Sequence, residues 1–291
     1  MATVSQWIAG SRPRTLPSAI APVAIGAGLV ARQDSFIAVR SLLALIVALA
    51  LQIGVNYAND YSDGIKGTDE IRIGPVRLVG QGLAAARQVM LAAFASFGVA
   101  AVAGLALVVI TNEWWLILVG AAAIAAAWFY TGGKYPYGYL GLGEIFVFVF
   151  FGLVPVLGTV YVQTFSIAAV DVIASCAVGL LICTLLIVNN LRDIPTDRIA
   201  GKRTLAVKLG DQRTRLIFAA CMALTFVLTV WVAALTSWWV LLALSSFALA
   251  IAPVKIVLGG GVGPVLVTVL KMTGMLVLVY GLLTAALLAW C

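Results

Sequence analysis

The sequence predicts an all-α polytopic membrane protein with nine transmembrane helices, and three observations carry that reading. Hydrophobic residues make up 63% of the 291 positions and charged residues 10%, which is more apolar surface than a soluble core can bury. The apolar residues gather into nine runs, and a helix of about 20 such residues crosses roughly 30 Å of hydrocarbon. Of the 18 Lys and Arg residues, 16 lie at the N-terminus, in alternate connections or near the start of the last run, and two lie on the other side.

Taken in order, Met1 to Ser18 contains Trp7, Arg12, Arg14 and two prolines without a compact apolar stretch, so it reads as a retained N-terminus and not as a signal peptide. Nine runs follow, at about Leu16–Val30, Ser41–Ala58, Val89–Ile110, Trp114–Tyr130, Ile145–Tyr161, Val172–Asn189, Leu216–Leu235, Trp238–Ile251 and Val265–Trp290. The connections after runs one, three, five and seven hold only Arg32 and Arg40 as bases, beside Asp34, Glu113 and Asp171. The positive-inside rule therefore puts the N-terminus and the richly basic face in the cytoplasm and the C-terminus outside, in a cell (inner or plasma) membrane. Trp7, Trp114, Trp115, Trp238, Trp239 and Trp290 sit where aromatic belts form. Gly259–Gly263 has no following Gly-Lys-Ser/Thr and reads as a turn. Residues 1–291 form one transmembrane domain.

Several function classes drop out. A net charge of +7 does not point to nucleic acid here, because the bases flank membrane spans where topology and anionic phosphate account for them. The four cysteines form no CxxC pair and three lie in apolar runs, which suits packing. With no histidine, the usual triads and the commonest zinc ligand are missing. Oxygen ligands remain.

They occur in two places. Run two ends in Asn56-Tyr57-Ala58-Asn59-Asp60-Tyr61-Ser62-Asp63-Gly64, and run six ends in Asn189-Asn190-Leu191-Arg192-Asp193-Ile194-Pro195-Thr196-Asp197-Arg198. On a helix, Asn56, Asp60 and Asp63 form one polar stripe, as do Asn189, Asp193 and Asp197. Both runs are even-numbered, so both stripes close on the same face and can meet. Asn56 and Asn189 are 133 residues apart and each precedes an aspartate by four. Runs two to five and six to nine therefore read as duplicated four-helix units behind one leading helix. Acids at a membrane edge repel one another and need cations. Magnesium prefers oxygen ligands and is usually held by one or two carboxylates while substrate phosphates complete its shell. Bases crowd the same face: Lys66, Arg72 and Arg77 after the first stripe, Lys134 at the end of Tyr130-Thr131-Gly132-Gly133-Lys134, and Arg192, Arg198, Lys202 and Arg203 around the second. Acids beside bases describe a magnesium diphosphate site, in which Lys66, Arg72, Arg77, Lys134, Arg192, Lys202 and Arg203 are the candidates for the phosphate oxygens.

These motifs resemble the signature of the UbiA superfamily of intramembrane aromatic prenyltransferases: Asn59-Asp60-x-x-Asp63, Asp193-x-x-x-Asp197 and Tyr130-x-x-x-Lys134. With Arg12-Pro13-Arg14-Thr15-Leu16-Pro17, Gly74-Pro75-Val76-Arg77-Leu78 and Gly201-Lys202-Arg203-Thr204-Leu205, the resemblance spans nearly the whole chain and is closest to the 1,4-dihydroxy-2-naphthoate polyprenyltransferases of menaquinone synthesis. It implies Mg2+ held by Asn56, Asn59, Asp60, Asp63, Asn189, Asp193 and Asp197, with Asp60, Asp63, Asp193, Asp197, Lys134 and Arg72 as catalytic residues. It also implies attack of an electron-rich naphthoate ring on a polyprenyl diphosphate, with loss of CO2 from the attacked carbon and of diphosphate, giving demethylmenaquinol. No strong base is then needed, in keeping with the absence of histidine. Phe146, Phe148, Phe150 and Phe151 are candidates for the prenyl channel. The chain departs from the wider pattern twice: Asp69 lies six residues after Asp63 where many relatives have an acid four residues on, and Asn189 stands where aspartate is frequent. The alternatives are another aromatic acceptor or a cation-coupled transporter, whose acids sit nearer the midplane of broken helices. Membrane lipid is the surrounding partner.

Overall fold

The computed structural model describes residues 2–67 and 76–290, and the described residues contain helices and connections but no strand. Helix α1 (Val4–Gly10) and a tight turn at Pro13–Thr15 meet α2 (Pro17–Ala31) at 50°. The bend has a local cause: Arg12 adopts the left-handed conformation (φ 53°, ψ 67°), and Pro13 and Pro17 donate no backbone hydrogen bond. The chain continues through α3 (Ala38–Ile65), α4 (Ala86–Thr111), α5 (Leu116–Phe129), α6 (Gly143–Thr164), α7 (Ala169–Ile199), the short α8 (Leu205–Leu209), α9 (Asp211–Leu235), α10 (Trp238–Leu258) and α11 (Pro264–Trp290). Seven of these, α3, α4, α6, α7, α9, α10 and α11, are long and apolar enough to cross a membrane, or eight spans if the bent α1–α2 pair is one. All nine apolar runs coincide with helix. The α5 run, however, gives only 14 helical residues, a rise of about 21 Å.

Small residues let the helices approach closely, as apolar bundles in lipid require. A Cβ added to Gly28 of α2 would lie 2.5 Å from the Ala285 carbonyl of α11, and one added to Gly152 of α6 would lie 2.5 Å from Gly179 Cα of α7. Within α6, Phe148–Leu153 widens into π-helical winding just before Pro155. Pro155 has no N–H to donate and its ring crowds the carbonyl four residues back, so a wider turn relieves both problems.

The buried apolar residues form two clusters. The larger joins α2, α6, α7, α9, α10 and α11, and the smaller joins α3, α4 and the Leu78 loop. Between them the bundle encloses a cavity of about 1130 Å³.

Candidate active site

The cavity has two chemically distinct parts. Its shaft runs along Val47, Leu51 and Val55 of α3, Gly104 and Leu105 of α4, Gly120 and Ile124 of α5, and Phe146, Phe150 and Phe151 of α6. Tyr137 stacks on Phe146 with ring centroids 3.9 Å apart, and Phe146 is followed by Phe150 at 5.9 Å, so the α6 wall is an aromatic ladder. At one end the last turns of α3 and α7 bring Asn56, Asn59, Asp63, Asn189, Arg192, Asp197 and Lys202 onto the same wall, with Arg77 from the loop before α4. The two stripes do meet.

Local structure fixes each group. Asp63 is buried near the end of α3, and its Oδ1 accepts Lys202 Nζ at 3.0 Å and a short hydrogen bond from the Tyr139 hydroxyl. Lys202 follows α7, so this contact joins the two motif ends directly. The Tyr139 ring also lies under two ammonium groups, Lys66 at 4.9 Å and Lys202 at 4.5 Å, a cation–π arrangement. The Asn59 side-chain carbonyl accepts Thr131 Oγ1 at 2.8 Å. Lys66 Nζ donates to the Thr131 carbonyl at 2.7 Å, and burial pushes this ammonium below the ordinary lysine range, with Asp63 opposing the shift.

In the second motif the Arg192 guanidinium is clamped by Asp193, Nε to Oδ1 at 2.7 Å and Nη2 to Oδ2 at 2.8 Å, and Nη2 also reaches Asn189 Oδ1 at 2.8 Å. Its Nη1 is buried with no partner among the described residues. A guanidinium fixed on two edges by a carboxylate and an amide oxygen stands preorganised on the cavity wall.

The remaining expected residues fall elsewhere. Asp60 is off the cavity wall: the backbone N–H groups of Leu78 and Val79 donate to its two oxygens at 2.7 and 3.1 Å, so it pins the loop that carries Arg77. Asp193, behind Arg192, is also off the wall. Lys134, expected on the diphosphate, is exposed, its ammonium 5.5 Å from the Tyr135 ring. Gly133, just before it, adopts φ 76°, in the left-handed region that favours glycine. Lys66 is spent on the Thr131 segment, and Arg203 is exposed. Phe148 leaves the proposed channel to pack on Gly179. Asp69 and Arg72 lie outside the described residues. Among the described residues no three Asp, Glu, His or Cys side chains cluster as a ready metal cage.

Tyr139 and Gln52 also line the cavity, and neither stands among the residues singled out by the motifs. Gln52 was within reach, because it stands one turn before Asn56 and extends the same stripe; Ser18 Oγ donates to it at 2.8 Å, and it donates to Thr15 Oγ1 at 3.0 Å. Asn56 itself donates to the Ser11 carbonyl at 2.8 Å and to Thr15 Oγ1 at 2.9 Å, and so ties α3 to the Arg12 bend.

Against known proteins, the model of the UbiA prenyltransferase family matches residues 19–259. The chain belongs to the UbiA prenyltransferase family. Within it, a 1,4-dihydroxy-2-naphthoate octaprenyltransferase of Mycobacterium tuberculosis is 51% identical over 290 residues, covering 100% of this chain and 99% of that protein. A protein of the same name from Escherichia coli is 40% identical over 222 residues, 74% of this chain and 72% of that one. A solved UbiA homolog of Archaeoglobus fulgidus, bound to GPP and Mg2+, superposes with a TM-score of 0.68 at 16% identity over 97% of this chain and 99% of that chain, which shows a shared fold.

Proposed function

We propose that this UbiA family member transfers a polyprenyl chain from polyprenyl diphosphate to 1,4-dihydroxy-2-naphthoate, releasing CO2 and diphosphate and yielding demethylmenaquinol. The observation that carries the reaction class is the single cavity that joins an apolar, aromatic shaft to an end holding both acids and bases. The acceptor rests on the end-to-end similarity to the mycobacterial naphthoate octaprenyltransferase.

Each part has a task in such a reaction. The shaft takes the prenyl tail and keeps water from the allylic cation, and the Tyr137–Phe146–Phe150 ladder offers that cation π faces. Arg192, together with Lys202 and Arg77 on the same wall, stabilises the charge that develops on the leaving diphosphate. Asp63 and Asp197, with the amide oxygens of Asn56, Asn59 and Asn189, are an all-oxygen donor set on one wall, which suits Mg2+. Two carboxylates suffice, since the substrate brings phosphate oxygens of its own. Bound there, the metal would neutralise diphosphate charge. Asp60 and Asp193 support this end from behind by holding the Arg77 loop and Arg192. The topology consistent with this reading is nine spans in one domain, built as duplicated four-helix units plus a leading helix, with the motif face cytoplasmic; the 16-to-2 division of bases supports it.

Membranes containing the protein, given Mg2+, the naphthoate and prenyl diphosphates of several lengths, should yield prenylated, decarboxylated naphthoquinols by mass spectrometry. Prenylation of another aromatic ring in preference to the naphthoate would overturn the acceptor assignment.

A further inference from the structure

The first turn of α6 is joined to the last turns of α7 by a hydrogen bond between side chains: Asn190 Nδ2 donates to Glu144 Oε1 at 3.0 Å. Asn190 is buried and lines the cavity, whereas Glu144 is off that wall, beside Ile187, Leu205 and Ile217. The turn that carries Glu144 is tied to α7 a second time, since the Cys183 thiol donates to the Glu144 carbonyl at 3.4 Å. Neither Glu144 nor Asn190 has a part in the site described above.

A carboxylate only accepts, so Glu144 decides which end of the Asn190 amide it meets. Nδ2 turns to Glu144, and Oδ1 is the end left for the cavity. The other amides on the wall already use their oxygens: Gln52 accepts Ser18 Oγ, Asn56 accepts Gln52 Nε2, Asn59 accepts Thr131 Oγ1 and Asn189 accepts Arg192 Nη2. Asn190 Oδ1 accepts from no group among the described residues. Helix packing alone is a poor reason for the acid behind it. The second oxygen of Glu144, Oε2, is buried without a partner, a cost that an apolar side chain would not carry. The N-terminal turn of α6 lowers that cost by favouring negative charge, but it does not require one.

We propose that Glu144 is a positioning residue that aims the Asn190 amide oxygen into the cavity, where it accepts a hydrogen bond from a ring hydroxyl of the aromatic acceptor. The inference rests on the function proposed above. Position on α7 separates Asn190 from the metal donor set, because it lies about 100° round the helix from Asn189. It stands one turn beyond Leu186, which lines the cavity and meets α6 at Gly143, where an added Cβ would lie 3.2 Å from Leu186 Cδ2. Phe146 of α6 lines the same cavity two residues after Glu144, with Tyr137 stacked on it, so the amide oxygen stands where the acid end gives way to the aromatic ladder. The cations on the wall, Arg12, Arg14, Arg77, Arg192, Lys202 and Lys271, only donate and suit anions, and the acids Asp63 and Asp197 belong to the metal set. A hydroxyl that must donate finds a neutral acceptor in Asn190. As the ring attacks the allylic carbon, positive charge develops on that hydroxyl, so the same hydrogen bond strengthens in the transition state.

The test uses the full chain in phosphatidylcholine nanodiscs with Mg2+, reading acceptor affinity by titration calorimetry and turnover separately. Asn190→Leu and Glu144→Met should each weaken binding of 1,4-dihydroxy-2-naphthoate at least about fivefold, the loss of one hydrogen bond, while the donor KM stays within about twofold. Affinity for 2-naphthoate, which has no hydroxyl, should be the same in parent and variants. Glu144→Gln, which still offers an oxygen to Nδ2, should stay within about twofold of the parent, and the double variant should lose no more than either single one, because both act on one contact. A matching loss of 2-naphthoate affinity would make the pair's role steric, and a raised donor KM or Mg2+ requirement would put Asn190 on the diphosphate or the metal; each overturns the proposal. Additive losses in the double variant overturn the positioning role of Glu144. Should Glu144→Met not fold, Glu144→Ala removes the same acceptor and is read in the same way. A parent that binds the naphthoate without prenylating it would instead refute the proposed function, with the hydroxyl contact still decided by the affinities.

Discussion

Tyr139 does three things at once: its hydroxyl donates to Asp63, its ring supports Lys66 and Lys202, and its carbonyl accepts the Arg203 N–H at 2.9 Å. Tyr139→Phe removes the first and leaves the ring. A lost hydrogen bond to a charged group is worth about 1.5–3 kcal/mol, so kcat/KM for the prenyl donor should fall by about one to two decades. Tyr139→Phe kinetics within twofold of the parent would make the hydroxyl a bystander. Nothing in the sequence marked this residue, because a tyrosine in a connection carries no charge anomaly, whereas Asp63 and Asp197 stood out as acids closing apolar runs. The same logic singled out Lys134, which is exposed with its ammonium 5.5 Å from the Tyr135 ring. It was also incomplete at Asp60 and Asp193, which spacing placed on the polar stripes but whose oxygens are directed at a loop and an arginine.

Elements were legible wherever a long apolar run was enough to specify one, and all nine runs are helical. What the runs did not disclose were the features set by backbone chemistry: the 50° bend at Arg12, the π-helical turn ahead of Pro155 and the shortness of α5. Close packing at the α6–α7 contact gives a test at this scale. Gly152→Ala would force a methyl against the Gly179 backbone, which has no side chain to swing aside, and should destabilise by about 1–3 kcal/mol. Gly98→Ala in α4, where a Cβ meets nothing within 4 Å, serves as the control. Thermal unfolding in detergent should show a lower midpoint for Gly152→Ala and none of that loss for Gly98→Ala; equal midpoints would mean that α6 and α7 move apart at little cost.

For the molecule as a whole, two separate apolar clusters leave between them a cavity that composition could not reveal, though the meeting of the two motifs at one of its ends followed from counting spans. The proposed topology can be tested directly: if the chain crosses nine times from a cytoplasmic N-terminus, a reporter fused after Cys291 should read outside, and a cytoplasmic signal there would mean an even number of crossings. The central claim is that one cavity couples departure of diphosphate to prenylation and decarboxylation of a naphthoate. The most direct measurement follows carboxyl-labelled 1,4-dihydroxy-2-naphthoate with a polyprenyl diphosphate in membranes containing the protein. The account predicts one labelled CO2 and one diphosphate for each prenylated product with Mg2+ present, and neither in EDTA; a prenylated product that keeps the label, or full turnover in EDTA, would contradict it.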